Sequence, residues 1–594
     1  MILLFTFVLA TTAAVAFGGA VRRAAPAVGA VVPPRADRWH EQPTPTMGGV
    51  AIAAATVIGF LIVMVKPDIL PWFDTWMPVP LAALAMFVVG ILDDRLQLSP
   101  LAKLVSSLIV GAFFVFALAR SQPDALASWQ TMVAIVFFAG MCHAVNLLDN
   151  MDGLAAGVAF VAGAFLAVLM FDPLGPALVV LLVALCGSLL GFLYWNHSRA
   201  KLFMGDCGSL FIGALLAGCA LVPIFTARES DLEPALVALL IFVVPLFDTA
   251  FVLVLRRAAG RPATRGGTDH VSHRLVSLGF SDRSAVRILY LLGLLGGVTA
   301  WSVKVAGVES MFPLAALFAV VVTLVGIYLA RVPAYNAQDF VALQKSSFAP
   351  FLKDLTFRWH AGQVMLDLVL ISACYYFAYR LRFEGESLET FMPYFSASLP
   401  VIVGVKLASL YVSGLYQRSW ETFGLRDLTA VLRGVGLGSV LSVLVAAYFY
   451  RFEGFSRLVF ILDFMLLTAA VTATRASFRT MNLVAATRNK RSHRVVVYGA
   501  GAFGQLLVRE MRANQDWSLN PVAFIDDNPL KSRRWIEGVP VRGGIDVLER
   551  TLAEFGADEV ILSTPLIDEA LERRIRSICN THAKSVRRFH MSIQ

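Results

Sequence analysis

Charge is scarce in this chain. Of its 594 residues only 15% are Asp, Glu, Lys or Arg, against 58% hydrophobic. A soluble domain would carry about 25% charged residues, so the bulk of the chain is not a soluble enzyme. Cysteine is scarce too. The six (Cys142, Cys186, Cys207, Cys219, Cys374, Cys579) are scattered, mostly inside apolar runs, and no pair has metal-ligand spacing. That argues against a zinc module or a disulfide scaffold and for buried free thiols. There is no low-complexity segment, no repeat at a solenoid period and no arginine-rich tract. The net charge of +9 therefore does not indicate nucleic acid. The first residues, Met-Ile-Leu-Leu-Phe-Thr, lack the basic start of a signal peptide, and 2–20 is expected to be a first spanning helix.

Long apolar runs are what the chain has most of. Eleven lie near 2–20, 48–65, 79–92, 104–119, 128–146, 154–171, 175–195, 208–226, 234–255, 285–303 and 311–330, and four more near 361–382, 395–416, 428–450 and 458–474. A crossing needs about 20 residues, so a polytopic α-helical membrane protein of about fifteen spanning helices is expected. Basic residues collect in alternate connections: Arg22, Arg23, Arg35 and Arg38; Arg95 and Lys103; Arg199 and Lys201; Arg256, Arg257, Arg261, Arg265 and Arg274. The positive-inside rule puts these in the cytoplasm and the N-terminus outside. The expected organisation is a membrane domain over 1–332, an amphipathic connector over 333–360, a four-helix membrane domain over 361–480 and a cytoplasmic α/β domain over 492–594.

Aspartates recur at the ends of the apolar runs, all in the basic set of connections. Asp93-Asp94 follow Val-Val-Gly-Ile-Leu, Asp149 and Asp152 sit in Asn-Leu-Leu-Asp-Asn-Met-Asp-Gly, and Asp206 sits in Phe-Met-Gly-Asp-Cys-Gly-Ser. Carboxylates at a membrane boundary are costly unless they bind something. Several together suggest a divalent cation and a phosphate, because phosphoryl transfer between anions needs its repulsion offset. For Asp248, inside Phe-Val-Val-Pro-Leu-Phe-Asp-Thr, a functional role and a structural hydrogen bond stand level. Gly48-Gly49 is open to a helix-packing reading.

Five blocks in order carry a resemblance: Pro43-Thr-Pro-Thr-Met-Gly-Gly49; Asp93-Asp94-Arg95 with Leu98-Ser-Pro100 and Lys103; Asn146-Leu-Leu-Asp149-Asn-Met-Asp152-Gly153; Asn196 with Lys201-Leu-Phe-Met-Gly-Asp206-Cys-Gly208-Ser209; and Asp269-His270-Val-Ser-His273-Arg274-Leu275. With them the first 330 or so residues resemble the polyprenyl-phosphate N-acetylhexosamine-1-phosphate transferases. The resemblance implies transfer of HexNAc-1-phosphate, expected to be GlcNAc-1-phosphate, from a UDP-sugar to undecaprenyl phosphate in the bacterial inner membrane, with release of UMP. This would start a surface polysaccharide such as O-antigen.

The resemblance also implies roles. Asp206 is the expected Mg²⁺ ligand (Mn²⁺ an alternative ion), with Asp93 and Asp94 beside the metal and Asp94 a second ligand. Asn146 and Asp149 complete a polar floor and Lys103 is a point charge for phosphate. Asp152 would read the uracil edge and Phe203 stack on its ring. Asn196 and Lys201 join the substrate set. His270, His273 and Arg274 would contact the diphosphate or sugar. Two departures stand out: Ser272 interrupts the histidine cluster, and Glu41 stands where the peptidoglycan enzyme has a basic residue. Arg38 or His40 could substitute, but a muramyl-peptide substrate is disfavoured.

Val495-Val-Val-Tyr-Gly499-Ala-Gly501-Ala-Phe-Gly504 is a strand, a Gly-x-Gly-x-x-Gly turn and a helix, followed by a strand ending in Asp526-Asp527. Gly499, Gly501, Gly504, Asp526 and Asp527 are the candidate residues for NAD, a nucleotide or a UDP-sugar. With the four apolar runs before it, the chain from about residue 355 onward resembles the N-terminal region of membrane-anchored capsule-type nucleotide-sugar dehydratases, which has four spanning helices and a Rossmann-like domain. No Tyr-x-x-x-Lys occurs after residue 490, so a non-catalytic module is expected, either regulatory or a platform for a homodimer. The alternative for the whole chain is a membrane nucleotide sensor or scaffold with an inactive transferase domain.

Overall fold

The computed structural model describes residues 1–32, 43–61, 76–120, 129–169, 175–197, 199–226, 232–258, 267, 269–330, 349–383, 385–417, 423–452, 455–488, 493–513, 517, 519–563 and 567–589. Arg35, Arg38, His40, Glu41, Arg261, Arg265 and most of the 333–360 connector lie outside the described residues. The chain divides into two units, Met1–Phe478 and Arg479–Gln594.

The first unit is helical. Eleven of its described helices are long and apolar enough to cross a membrane, or twelve if one bent pair counts as a single span. Three further helices account for the rest of the fifteen expected runs. Gly49–Phe60 and Leu154–Leu169 are apolar but shorter. Pro78–Leu96 carries Asp93, Asp94 and Arg95 at its end. The run expected at 234–255 is not one straight helix. It breaks into Glu233–Ile241 and Val243–Ala258, bent by 75°. Pro245 explains the break: it has no N–H for the Ile241 carbonyl and its ring collides with that carbonyl. The helix expected to start near 361 instead runs unbroken over Ala349–Arg382.

Two helices form the middle of the transferase-like part. Pro176–Asn196 and Asp206–Phe225 are buried over most of their length, whereas Pro100–Ala119 is buried over little of its own. Exposed Leu101, Ile109, Phe113 and Phe116 on the latter suit a lipid-facing helix. Pro78–Leu96 packs along Asp206–Thr226, and Ile2–Ala24 along Pro176–Asn196. Glycine makes these approaches possible. A Cβ on Gly49 would lie 2.1 Å from the Gly208 nitrogen, and one on Gly90 would lie 2.4 Å from the Cys207 Cα. Gly48-Gly49 is therefore a packing element, set against the first turn of the helix that Asp206 begins.

The second unit is α/β. Its strands are β1 (His493–Tyr498), β2 (Leu519–Ile525), β3 (Trp535–Ile536), β4 (Val539–Gly543), β5 (Glu559–Leu562) and β6 (Ser585–Arg588), in the sheet order β3-β4-β2-β1-β5-β6. All pairings in this sheet are parallel except β3 with β4. The buried runs of Val495, Val496 and Val497 and of Val560, Ile561 and Leu562 fit a sheet covered on both faces. This is the expected Rossmann-like architecture. Gly499 turns the chain at φ 100°, and a Cβ on Gly504 would lie 1.9 Å from the Gly499 oxygen. Both candidate nucleotide-binding acids are held within the unit. Asp526 accepts from Ala500 N–H at 2.7 Å and from Lys531 Nζ at 2.8 Å. Asp527 accepts from the Tyr498 hydroxyl, and from Ile545 N–H at 2.9 Å. Burial would raise the Asp526 carboxyl, but Lys531 and the amides outweigh it and hold it low.

Candidate active site

The segments that carry the aspartates converge for local reasons. Gln97, in left-handed conformation at φ 50°, stops the helix Pro78–Leu96, and Ser99 caps the next one by accepting from Ala102 N–H, with Pro100 in its first turn. Asp93 therefore sits one tight turn from Lys103. The first and fourth blocks meet as extended chain. Thr44–Pro45 pairs with Val31–Val32. Phe203 N–H donates to Pro45 O, Gly48 N–H to Phe203 O and Gly49 N–H to Met204 O, each at 2.8 Å.

The result is one polar cavity of about 750 Å³. Asp93, Asp94, Lys103, Asn146, Asp149 and Asp206 line one part of its wall; Asp152, Asn196, Phe203, His270 and His273 line it as well. Lys103 joins two of the acids, with its Nζ 2.5 Å from Asp93 Oδ2 and 3.0 Å from Asp206 Oδ2. Asn146 Nδ2 donates to Asp206 Oδ1 at 2.8 Å and to Ser209 Oγ at 2.9 Å. Asp93 is also fixed from behind by Leu98 N–H at 2.9 Å. Asp206 opens its helix, where the positive end of the macrodipole favours a carboxylate.

Other residues of the sequence set hold the frame. Asp94 gives Oδ1 to Asp206 N–H at 2.8 Å and Oδ2 to Cys207 N–H at 3.1 Å. It caps the helix that Asp206 begins, and it also lines the cavity. Asn196 ties two loops, accepting from Gly153 N–H at 2.8 Å and donating to Leu202 O at 3.0 Å. Asp152 Oδ2 accepts from Ala200 N–H at 2.8 Å. Arg274 does not line the cavity. It is buried, stacks 5.3 Å from the Phe251 ring and donates to Leu329 O at 3.0 Å and Asp269 O at 3.2 Å. Lys201 is exposed and also does not line it. Among the described residues no three His, Cys, Asp or Glu side chains form a ready metal cage. Mg²⁺ does not require one, since it takes one or two carboxylates and completes its shell with water and phosphate.

The histidine loop is held by buried acid–base pairs. Arg256 makes a bidentate pair with Asp269, with both distances 2.7 Å. Burial would raise Asp269, but the Arg256 guanidinium keeps it below the usual carboxylate range. Burial, then the neighbouring His270 charge, lowers His273 to about 4. The sequence reading did not find the links Ser107 Oγ to His143 Nε2 at 3.0 Å, Ser272 Oγ to Asn150 Oδ1 at 2.8 Å and Tyr290 Oη to Gly153 O at 2.6 Å. Their partners lie 36, 122 and 137 residues apart, so no local pattern signals them.

Residues 76–224 match the model for glycosyl transferase family 4, and residues 412–588 match a CoA-binding domain. The chain is 30% identical over 295 residues to a probable undecaprenyl-phosphate N-acetylglucosaminyl 1-phosphate transferase of Bacillus subtilis, covering 48% of this chain and 80% of that one. It is 31% identical over 350 residues to the decaprenyl-phosphate N-acetylglucosaminephosphotransferase of Mycobacterium tuberculosis, covering 50% and 85%. A phospho-N-acetylmuramoyl-pentapeptide-transferase of Lactobacillus gasseri is 30% identical over 292 residues, covering 46% and 88%. By this coverage, and with its own acidic cavity, the chain belongs to glycosyl transferase family 4, among the polyprenyl-phosphate N-acetylhexosamine-1-phosphate transferases.

Proposed function

We propose that the chain transfers GlcNAc-1-phosphate from UDP-GlcNAc to undecaprenyl phosphate and releases UMP, at the cytoplasmic face of a bacterial inner membrane. The observation that carries this reading is Lys103, whose ammonium bridges Asp93 and Asp206 in a polar cavity at the end of membrane helices. A cation held between two carboxylates, with Asn146 orienting one of them, marks a point where phosphate charge can be neutralised. The relatives named for N-acetylglucosamine phosphate transfer support the same chemistry.

A phosphate monoester has a second pKa near 6. Polyprenyl phosphate is then mostly dianionic at neutral pH and attacks the sugar-bearing β-phosphorus without needing a strong base. The bond from β-phosphorus to the bridging oxygen breaks, and the electron pair leaves with UMP. The work left to the protein is alignment and charge neutralisation. Mg²⁺ fits the hard carboxylate oxygens of Asp206 and Asp93, and when bound it would neutralise charge between the two phosphates. Lys103 supplies a second, fixed positive charge. Asp152, a hydrogen-bond acceptor, suits the uracil imide N–H, and the Phe203 ring gives that base a surface to stack on.

The product would open synthesis of a surface polysaccharide. The α/β unit is read as a non-catalytic module for a nucleotide, a dinucleotide or a CoA-like ligand, and the chain as a homodimer. The test supplies UDP-GlcNAc, undecaprenyl phosphate and Mg²⁺ to the purified chain and measures UMP. Asp206→Ala should lose roughly 10²–10³-fold in kcat. Full activity in that variant would overturn the metal assignment.

A further inference from the structure

Asp248 belongs to none of the five motif blocks. It lies in the helix Val243–Ala258, within an apolar run, and is 1% exposed. A carboxylate buried there calls for a reason. Its Oδ2 lies 2.7 Å from His270 Nδ1, and its Oδ1 accepts Val271 N–H at 2.8 Å. A carboxylate can only accept, so Nδ1 carries hydrogen and the second ring nitrogen, Nε2, is left for the cavity that His270 lines. The bond to Val271 N–H fixes the carboxylate itself, so turning the ring would cost contacts on both sides.

Among the described residues, the charged and titratable groups around His270 are few. Behind it is Asp248. Beside it is Asp269, already paired with Arg256 from the same helix that carries Asp248. The His273 ring lies 6.3 Å away, centre to centre. Among the described residues, Asp248 is thus the carboxylate in direct contact with the ring.

We infer that Asp248 is a positioning residue: it fixes His270 so that Nε2 meets an anionic phosphoryl oxygen of the sugar nucleotide's diphosphate. This rests on the transferase reading given above. With hydrogen on Nε2 as well, His270 would give a charge-assisted hydrogen bond to the diphosphate as negative charge builds on the departing nucleotide. No proton needs to be transferred.

The experiment compares the full-length chain with Asp248→Asn, His270→Gln and His270→Asn, using a UDP-sugar, polyprenyl phosphate and release of nucleoside monophosphate. The Gln amide nitrogen stands near the position of Nε2, and the Asn amide nitrogen near that of Nδ1. His270→Gln should stay within about tenfold of wild-type kcat, while His270→Asn should lose roughly 10²-fold. Asp248→Asn keeps an acceptor for Val271 N–H. It should lower kcat by about 10–100-fold with the KM for polyprenyl phosphate unchanged. In the His270→Asn background it should add little.

A purely structural tie would reverse the order, with His270→Asn more active than His270→Gln, and that result would overturn the inference. Should Asp248→Asn fail to fold, the order of the two His270 variants still decides. Wild-type kcat in Asp248→Asn would sink the positioning role alone. No nucleoside monophosphate from the wild-type chain would sink the transferase reading, and this inference with it.

Discussion

Asp94 caps a helix that begins 112 residues later, its two carboxylate oxygens taking the backbone N–H groups of Asp206 and Cys207 at 2.8 and 3.1 Å. The neighbouring Asp93 instead faces Lys103. Adjacent acids therefore do different work: one fixes where Asp206 begins, the other carries charge at the site.

Replacing the cap should separate these jobs. Asp94→Ala strands two amides and should cost about 1–2 kcal/mol of stability together with a large part of kcat. Asp94→Asn keeps one acceptor and should lose less of both. If Asp94 only positions Asp206, the half-saturating Mg²⁺ concentration of Asp94→Asn should move well under the roughly tenfold expected when support of a metal is removed. Thermal unfolding and a Mg²⁺ titration of the transfer rate read the two effects. A shift of tenfold or more would return Asp94 to the metal.

Much of the site could be read in the sequence because helix ends are local. The Leu-Ser-Pro before Lys103 predicts a helix start, and Ser99 and Pro100 form one. The aspartates sit where apolar runs stop, and the cavity is there. Roles that depend on distant partners were not readable. Arg274 resembles an anion ligand in sequence, yet it satisfies the Leu329 carbonyl at the end of the helix Val308–Ala330. Asn196 resembles a substrate contact, yet both ends of its amide hold backbone. Asp248 could not be decided from an apolar run alone, because its partner is 22 residues away. The run expected at 234–255 bends for a local reason that was visible, Pro245 four residues after Ile241.

His273 yields a pH prediction with a definite sign. Burial, then the nearby His270 charge, lowers it to about 4, below the ordinary value near 6.5. A lowered histidine contributes stability that is present above about pH 6.5 and lost as the pH falls through about 4. The full span of the loss is at most about 3 kcal/mol. His273→Gln cannot titrate, so its midpoint of thermal unfolding should fall less than that of the wild type between pH 6.5 and 4. Parallel curves would mean that His273 is not buried neutral.

Two glycines of the α/β unit should respond in opposite ways. A Cβ on Gly501 meets nothing within 4 Å, whereas one on Gly504 would lie 1.9 Å from the Gly499 carbonyl oxygen. Gly501→Ala should leave the unit folded, and Gly504→Ala should cost about 1–3 kcal/mol or more because backbone must shift. This gives a clean probe of ligand binding. A pyrophosphate needs close approach at the glycine turn, so any nucleotide affinity should fall in Gly501→Ala with no change in unfolding temperature. Unchanged affinity would remove the glycine turn as the binding element.

Lys406 and Asp463 form an ion pair between the helices Glu386–Val412 and Arg457–Arg488, at 1% and 0% side-chain exposure. A second pair, Arg475 with Asp367 at 2.5 Å, is as deeply buried. Each charge is costly to bury, and their attraction roughly offsets that cost. Removing one partner leaves the other uncompensated in an apolar surrounding, so Lys406→Met should destabilise by about 3–5 kcal/mol. Removing both need not, since two apolar side chains of similar size can fill the same space. The double variant Lys406→Met, Asp463→Leu should recover most of the loss in thermal unfolding of the purified chain. Recovery would mean that the pair selects which helices meet rather than adding net stability. If the double variant is as unstable as Lys406→Met alone, the pair itself supplies stability to this helix bundle, and the neutral-exchange argument fails for it.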